Sequence, residues 1–163
     1  TEGLMLPMSV RDNLSFAAMS RVSRGGIIDR RAENAEVERM IKLLAIKTAS
    51  PLIPVGSLSG GNQQKVVIAK WLMAGPRIIL LNDPTRGIDV GTKQEIYALL
   101  RQLAAEGAAI ILYSTDYDEL IGCCDRVLVL YDGAVKRELV GNQITEHALI
   151  ASALNINEQE ALA

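Results

Sequence analysis

A serine and two glycines begin a predicted helix near the middle of the chain, where Ser59, Gly60 and Gly61 stand within the string Leu58 to Lys65. The first backbone N–H groups of a helix have no acceptor inside it, and the peptide dipoles make that end positive. A serine hydroxyl beside such groups adds another donor, so the arrangement favours a bound anion such as phosphate. A bare Ser-Gly-Gly is also typical of a plain helix cap with a glycine turn.

Helices are predicted on both sides of this turn. Ser9, with Asp12 three residues later, predicts a helix start that resembles a capping box. The segment Arg21–Arg31 has no hydrophobic period and is predicted as a loop, whereas helical spacing of apolar residues starts at Ala32. An amphipathic helix is predicted over Asn62–Met73, directly after the glycines.

Strands are predicted in the second half of the chain. Continuous apolar runs typical of strands buried on both faces indicate a parallel sheet covered by helices, and so an α/β fold. The runs are Ile78–Leu81, Ala109–Tyr113 and Val127–Tyr131. Helices predicted over Thr92–Ala105 and Asp116–Gly122 separate them in strand, helix, strand order. The Asp132-Gly133 pair predicts a hairpin that returns Val135–Val140 antiparallel, and a terminal helix over Thr145–Leu154 precedes a polar tail.

Composition narrows the classes of function. The 163 residues are 49% hydrophobic, which suits one domain or a large piece of one. With 17 Lys+Arg against 19 Asp+Glu, no basic stripe is available and nucleic acid is not the expected partner. The longest apolar run, Ala108–Tyr113, is far shorter than the roughly 20 residues of a membrane span. Neighbouring Cys123 and Cys124 and a lone His147 predict neither a structural disulfide nor a metal centre.

The string Leu58 to Lys65 resembles the signature sequence of ATP-binding cassette (ABC) proteins, in the form typical of sugar importers. Ile78–Gly91 is similar to the Walker B strand and D-loop of that family, and further matches extend the resemblance to about Val140. The resemblance implies nucleotide contacts, to ATP held on the opposite cassette, from Ser59, Gly60, Gly61, Asn62 and Gln63. It places Gly87, Ile88 and Asp89 in the D-loop, where Asp89 would contact the partner cassette or simply cap the following helix.

Two departures from the family pattern bear on catalysis. The pattern ends its Walker B strand with Asp, which helps hold Mg²⁺, and Glu, which polarises the attacking water. This chain has Asn82, which lacks the charge, and Asp83, whose carboxylate is one methylene shorter. Thr115 stands where a switch histidine would contact the γ-phosphate. We therefore expect this cassette's own site to be impaired or silent, and the alternative is slow hydrolysis through Asp83.

A phosphate-binding loop of the form Gly-x-x-x-x-Gly-Lys-Ser/Thr is absent from these residues. The resemblance thus implies an incomplete three-layer fold of the P-loop NTPase type that lacks the phosphate-loop strand and carries a helical signature subdomain. We expect Thr1 to be an internal position or a truncated start, and the missing strand to leave a gap between Ala109–Tyr113 and Val127–Tyr131. The predicted divisions are residues 1–75 (signature subdomain), 76–141 (sheet core) and 142–163 (terminal helix and tail).

The resemblance implies the ATP-hydrolysing subunit of a bacterial importer for a sugar or sugar-like solute. ATP and Mg²⁺ would be its cofactors, and a second cassette and membrane permease subunits its partners, at the cytoplasmic face of the inner membrane. The isolated chain is expected to show no turnover. One alternative is a non-catalytic module that docks on a partner cassette or permease. Another is a soluble cassette ATPase of DNA repair or translation, which the acidic balance and the Asn-Gln-Gln form of the signature disfavour.

Overall fold

The computed structural model of the chain describes residues 3–156. Its helices are α1 (Val10–Phe16), α2 (Arg30–Leu43), α3 (Gly60–Met73), α4 (Val90–Ala105), α5 (Tyr117–Cys123) and α6 (Glu146–Ala153). Its strands are β1 (Ser23–Arg24), β2 (Ile27–Ile28), β3 (Ile78–Asn82), β4 (Ala109–Tyr113), β5 (Arg126–Tyr131) and β6 (Ala134–Val140). Short 3-10 turns occupy Val55–Ser57 and Gly141–Gln143.

Polar side chains fix where most of the helices begin. Ser9, Asp29, Asp89 and Thr145 each accept a hydrogen bond from a first-turn amide of α1, α2, α4 and α6. Such caps satisfy donors that the helix leaves open and stabilise the helix start. The capping prediction at Ser9 is confirmed. The other predicted helices are also present, but α2, α3 and α4 each begin two residues earlier than their apolar spacing indicated. For α2 and α4 the reason is that a capping aspartate, and not hydrophobicity, sets the first turn.

The segment predicted as a loop before α2 contains secondary structure. Strands β1 and β2 pair antiparallel, with Ser23 opposite Ile28 and Arg24 opposite Ile27. Gly25 and Gly26 form the turn with φ values of +58° and +82°, in the region that glycine adopts without steric cost. The prediction of a loop over Arg21–Arg31 is therefore wrong, since this short hairpin depends on the glycine pair and not on a hydrophobic period.

The chain divides into two compact units. The first comprises the residues up to Ile79 together with Pro84–Ala109. Within it α1, α2 and α3 pack on one another. Its core buries Leu14 of α1, Met40 of α2, Val66 and Met73 of α3, and Ile96 of α4. This unit contains the glycine turn and the residues predicted to form the D-loop.

The second unit comprises Leu80–Asp83 and the residues from Ile110 onward. Strands β5 and β6 form an antiparallel ladder through the turn at Asp132 and Gly133, as predicted. The ladder, α5 and α6 share a core formed by Leu120, Val127, Leu139, Ile144, Ala148 and Leu149. The predicted terminal helix is thus part of this core. The predicted polar tail begins after Leu154, and most of it, residues 157–163, lies outside the described range, as do residues 1 and 2.

Strands β3 and β4 pair in the parallel sense. The N–H of Ala109 donates to the carbonyl of Arg77 at 3.0 Å, and the N–H of Asp83 donates to the carbonyl of Tyr113 at 2.9 Å. The strand ladders that the structure describes keep β3–β4 separate from β5–β6, which agrees with the expected gap between the second and third runs.

The prediction that these strands are buried on both faces is wrong for this chain. Along β3, Ile78 and Leu80 are 63% and 72% exposed, while Ile79 between them is 8% exposed. Ile111 and Tyr113 of β4 are also exposed. A continuous apolar run implies cover on both sides, and the described residues supply it on one side only.

The three-part domain division stays a prediction. No helix described between residues 3 and 156 is long and apolar enough to cross a membrane.

Candidate functional site

The turn before α3 presents its polar groups to solvent. Ser59 and Gly60 are exposed, and Ser59 makes no side-chain capping bond to the first turn of its own helix. Its hydroxyl oxygen instead accepts a hydrogen bond from Nδ2 of Asn62 at 2.9 Å, so the hydroxyl proton can be donated elsewhere. A Cβ added to Gly60 would meet nothing within 4 Å. The helix start is therefore open to an anion that arrives from outside the chain.

Three consecutive amide side chains hold the start of α3 in place through hydrogen bonds to backbone groups of other segments. Asn62 accepts the backbone N–H of Lys47 through Oδ1 at 2.8 Å. Gln63 donates through Nε2 to the carbonyl of Leu58 at 2.9 Å, and Gln64 donates to the carbonyl of Pro84 at 2.7 Å. Each amide thus ties the start of α3 to a different segment. The predicted nucleotide contacts of Asn62 and Gln63 stay predictions, while the structure gives both side chains a bracing role.

The second glycine packs against the start of α4. A Cβ added to Gly61 would lie 3.0 Å from Oγ1 and 3.2 Å from Cγ2 of Thr92. Asp89 holds Thr92 in turn, since its Oδ1 accepts the Thr92 N–H at 3.0 Å and its Oδ2 accepts the Thr92 hydroxyl at 2.8 Å. These bonds, the one from the amide above all, lower the pKa of the Asp89 carboxyl below its usual value.

A buried lysine lies one turn further along α3. The side chain of Lys65 is 5% exposed, and its Nζ contacts both the carbonyl of Ala45 and the carboxylate of Glu95 on α4. A buried ammonium requires such partners, because desolvation of an unpaired charge is costly. Lys65, the last residue of the signature-like string, is therefore part of the packing of α3 and not of its exposed turn.

The degenerate acidic position lies at the end of β3. Asp83 has φ of +42°, which is uncommon for a residue other than glycine. Its Oδ1 accepts two hydrogen bonds from Thr115, from the backbone N–H at 2.8 Å and from the hydroxyl at 3.1 Å. The structure thus brings together two of the three residues at which the sequence departs from the family pattern, Asp83 and Thr115. They bond to each other, and this contact holds one carboxylate oxygen of Asp83.

Magnesium does not fit the side chains at this position. Mg²⁺ takes oxygen ligands in near-octahedral geometry and usually relies on a carboxylate. Asn82 is exposed and neutral, and Oδ1 of the adjacent Asp83 is already occupied by Thr115. Throughout residues 3–156, no group of His, Cys, Asp and Glu side chains is arranged to hold a metal ion. The role of Asn82 toward Mg²⁺ stays a prediction that this geometry does not support.

The remaining predicted residues occupy the segment after Asp83. Gly87 has φ of +75°, Ile88 is partly buried, and Asp89 caps α4 while remaining exposed. Sequence reasoning missed Thr92 and Gln64, whose contacts join segments that lie far apart in the chain. The only sequence signal for Thr92 is its place three residues after a capping aspartate.

The chain is similar to known proteins over nearly its whole length. Residues 2–86 match the family described as ABC transporter. The ribose import ATP-binding protein RbsA 1 of Mesorhizobium japonicum is 77% identical over 161 residues, which are 99% of this chain and 31% of that protein. The xylose import ATP-binding protein XylG of Pseudomonas fluorescens is 44% identical over 154 residues, which are 94% of this chain and 30% of that protein. The chain therefore spans about a third of the length of these curated relatives.

Solved structures share the fold. The dimeric structure of a bacterial ABC transporter cassette matches with a TM-score of 0.70 at 25% identity, over 84% of this chain and 58% of that one. An ATP-binding cassette of an ABC transporter matches with a TM-score of 0.74 at 20% identity, over 95% of this chain and 64% of that one. This likeness confirms the predicted α/β fold class of the P-loop NTPase type.

Proposed function

This chain belongs to the ABC transporter family, and from that premise we propose that its glycine turn completes an ATP site carried by a partner cassette. We call Ser59, Gly60 and Gly61 the signature turn. The observation that carries the proposal is the exposed Ser59 hydroxyl, which is not used to cap its own helix. The open amides of the first turn and this hydroxyl are donors suited to the γ-phosphate of a nucleotide.

The transported solute is a sugar or a sugar-like compound on this proposal. Support comes from the relatives, which include ribose and xylose import ATP-binding proteins at 44 to 77% identity. The partners would be a second cassette and permease subunits, and the protein would act at the cytoplasmic face of the bacterial inner membrane. Closure of the two cassettes on ATP would drive the permease between its access states. The Mg²⁺ that accompanies ATP would be held by residues outside this chain.

The site of this chain's own cassette does not contribute to hydrolysis in this proposal. A catalytic carboxylate must orient a water, whereas Oδ1 of Asp83 already accepts two hydrogen bonds from Thr115. The test is Asp83→Asn in the native protein, which removes the carboxylate charge but keeps an Oδ1 acceptor for Thr115. We expect transport and the ATPase rate to stay unchanged, and a marked fall in rate would show that this site hydrolyses ATP.

The signature turn itself is tested by Ser59→Ala in the native protein reconstituted with its permease. Loss of one preorganised donor to transferring phosphate oxygens costs on the order of 100-fold in rate, so we expect a large fall in ATP turnover. Ser57→Ala is the matched control, because the Ser57 hydroxyl is also exposed but donates locally to the carbonyl of Pro54 at 2.7 Å. Equal rates for the two variants would refute the proposed role of the turn.

A further inference from the structure

We propose that Thr92, held by Asp89, is a positioning residue for the signature turn of its own cassette. This inference rests on the proposed function, because it concerns how the signature turn is positioned to contact a bound nucleotide. The D-loop aspartate would then act inside its own chain, by fixing a threonine on which the second signature glycine rests. We call the pair Asp89 and Thr92 the seat.

Gly61 packs so closely against Thr92 that there is no room for a side chain at position 61. The position that a Cβ would occupy at Gly61 lies 3.0 Å from Oγ1 of Thr92, which is tighter than ordinary van der Waals contact. An alanine at that position could be accommodated only by movement of the threonine or of the turn. In contrast, the neighbouring Gly60 faces open space. Packing against Thr92 therefore requires glycine at position 61, whereas no such contact restricts position 60.

Thr92 cannot easily yield. Both its backbone N–H and its hydroxyl donate to the carboxylate of Asp89, at 3.0 and 2.8 Å. A threonine in a helix is restricted at χ1 by its branched Cβ, and a rotation would break the hydroxyl bond. A side chain added at Gly61 should therefore displace the exposed turn and not the seat.

Two further contacts keep α3 in register with the segment that carries the seat. Gln64 donates to the carbonyl of Pro84, and Lys65 pairs with Glu95 one turn along α4 from Thr92. These contacts fix the body of α3, and the contact between Gly61 and Thr92 joins the hydrogen bonds of Asn62 and Gln63 in positioning its first turn. The seat thus helps to set the position from which Ser59 meets a phosphate.

The experiment is a mutant cycle in the native protein with its permease, in which the KM for ATP, the ATP turnover and the thermal midpoint are measured. The variants are Gly61→Ala, Thr92→Ala and the double variant, with Ser59→Ala measured beside them. A misplacement of roughly 1 Å can cost on the order of 100-fold, so Gly61→Ala should raise KM by about tenfold or more. Removal of Oγ1 and Cγ2 makes room, so the double variant should return to within about threefold of Thr92→Ala.

Gln94→Ala, on the exposed side of α4, serves as the control for substitutions in this helix and should leave KM and midpoint unchanged. The inference alone is overturned if the double variant keeps the KM of Gly61→Ala while Ser59→Ala is impaired. If Ser59→Ala and Gly61→Ala both leave ATP turnover unchanged, the proposed function fails and the inference fails with it. Recovery of the midpoint without recovery of KM also contradicts it, because the seat would then serve stability only.

Discussion

The hydrogen-bond partners of Ser59 and Asp83 determine whether each side chain is available to a ligand. The hydroxyl of Ser59 keeps a free proton because Asn62 donates to its oxygen, whereas the carboxylate of Asp83 is engaged by Thr115. The first arrangement leaves a donor for an incoming phosphate, and the second occupies one acceptor oxygen of the carboxylate. We therefore propose that the same cassette assists hydrolysis on a partner while its own acidic position is silent.

The Asp83 to Thr115 contact should contribute measurably to the stability of the chain. Thr115→Val keeps the branched shape but removes the hydroxyl donor to Oδ1, so we expect a loss of about 1 kcal/mol in the free energy of unfolding. Thr115→Ser retains the donor and should lose less. Urea unfolding of the three proteins measures the difference. Equal stability of the valine variant and the parent would show that the hydroxyl bond contributes nothing.

Two capping aspartates should make the chain sensitive to acid. A hydrogen bond from the backbone N–H of Ala32 lowers the pKa of the Asp29 carboxyl. Hydrogen bonds from the backbone N–H and the hydroxyl of Thr92 lower the pKa of the Asp89 carboxyl. Because the folded pKa lies below the unfolded value of about 3.9, the stabilisation is complete above that value and is lost as pH falls through the folded pKa. Urea midpoints measured between about pH 5 and pH 2 should therefore decline.

The variant Asp29→Asn separates this effect from general acid unfolding. Asparagine caps a helix about as well as aspartate but does not titrate. The decline in midpoint should therefore be shallower in the variant than in the parent. An identical decline in both proteins would show that Asp29 has no part in the acid sensitivity.

For the helices and strands, the sequence predicted the type and the order of most elements well, but it predicted the burial of the strand residues poorly. The helices and strands follow from local signals, such as apolar spacing and the Asp132-Gly133 turn, which act within a few residues. Whether a strand is covered on both faces depends on elements distant in sequence, so the exposure of Leu80 and Ile111 could not be read from their apolar runs. The contact of Gly61 with Thr92 was hidden for the same reason.

Helix α6 should be essential for the second unit, because its apolar side lies in the core with β5 and β6. Leu149 is 2% exposed, and Leu149→Ala should lower the free energy of unfolding by about 2 to 5 kcal/mol through lost burial and a cavity. Leu154→Ala is the matched control, since Leu154 is 59% exposed, and it should stay within about 0.5 kcal/mol. Denaturant unfolding compares the two. Similar losses for both variants would contradict the core assigned here.

At the scale of the whole molecule, the chain spans about a third of the length of relatives that match it over nearly all its residues. In the proposed function the signature turn acts on ATP bound to a partner cassette, and Oδ1 of Asp83 is engaged by Thr115. We therefore expect the purified 163-residue chain to show no ATP turnover above a Ser59→Ala control. Phosphate release measured at high enzyme concentration checks this, and turnover that the control lacks would place a complete active site within the chain.

If the signature turn meets the phosphates of a nucleotide, a negative charge placed on it by Gly60→Asp should abolish hydrolysis without unfolding the protein. Gly60 has room for a side chain, and a carboxylate in the first turn of α3 suits the positive end of the helix, so the thermal midpoint should be kept or raised. The same charge would repel phosphate. We predict that the native protein carrying Gly60→Asp folds normally and loses nearly all ATP hydrolysis. A variant that folds normally and hydrolyses ATP at the parental rate would show that the signature turn does not meet the nucleotide.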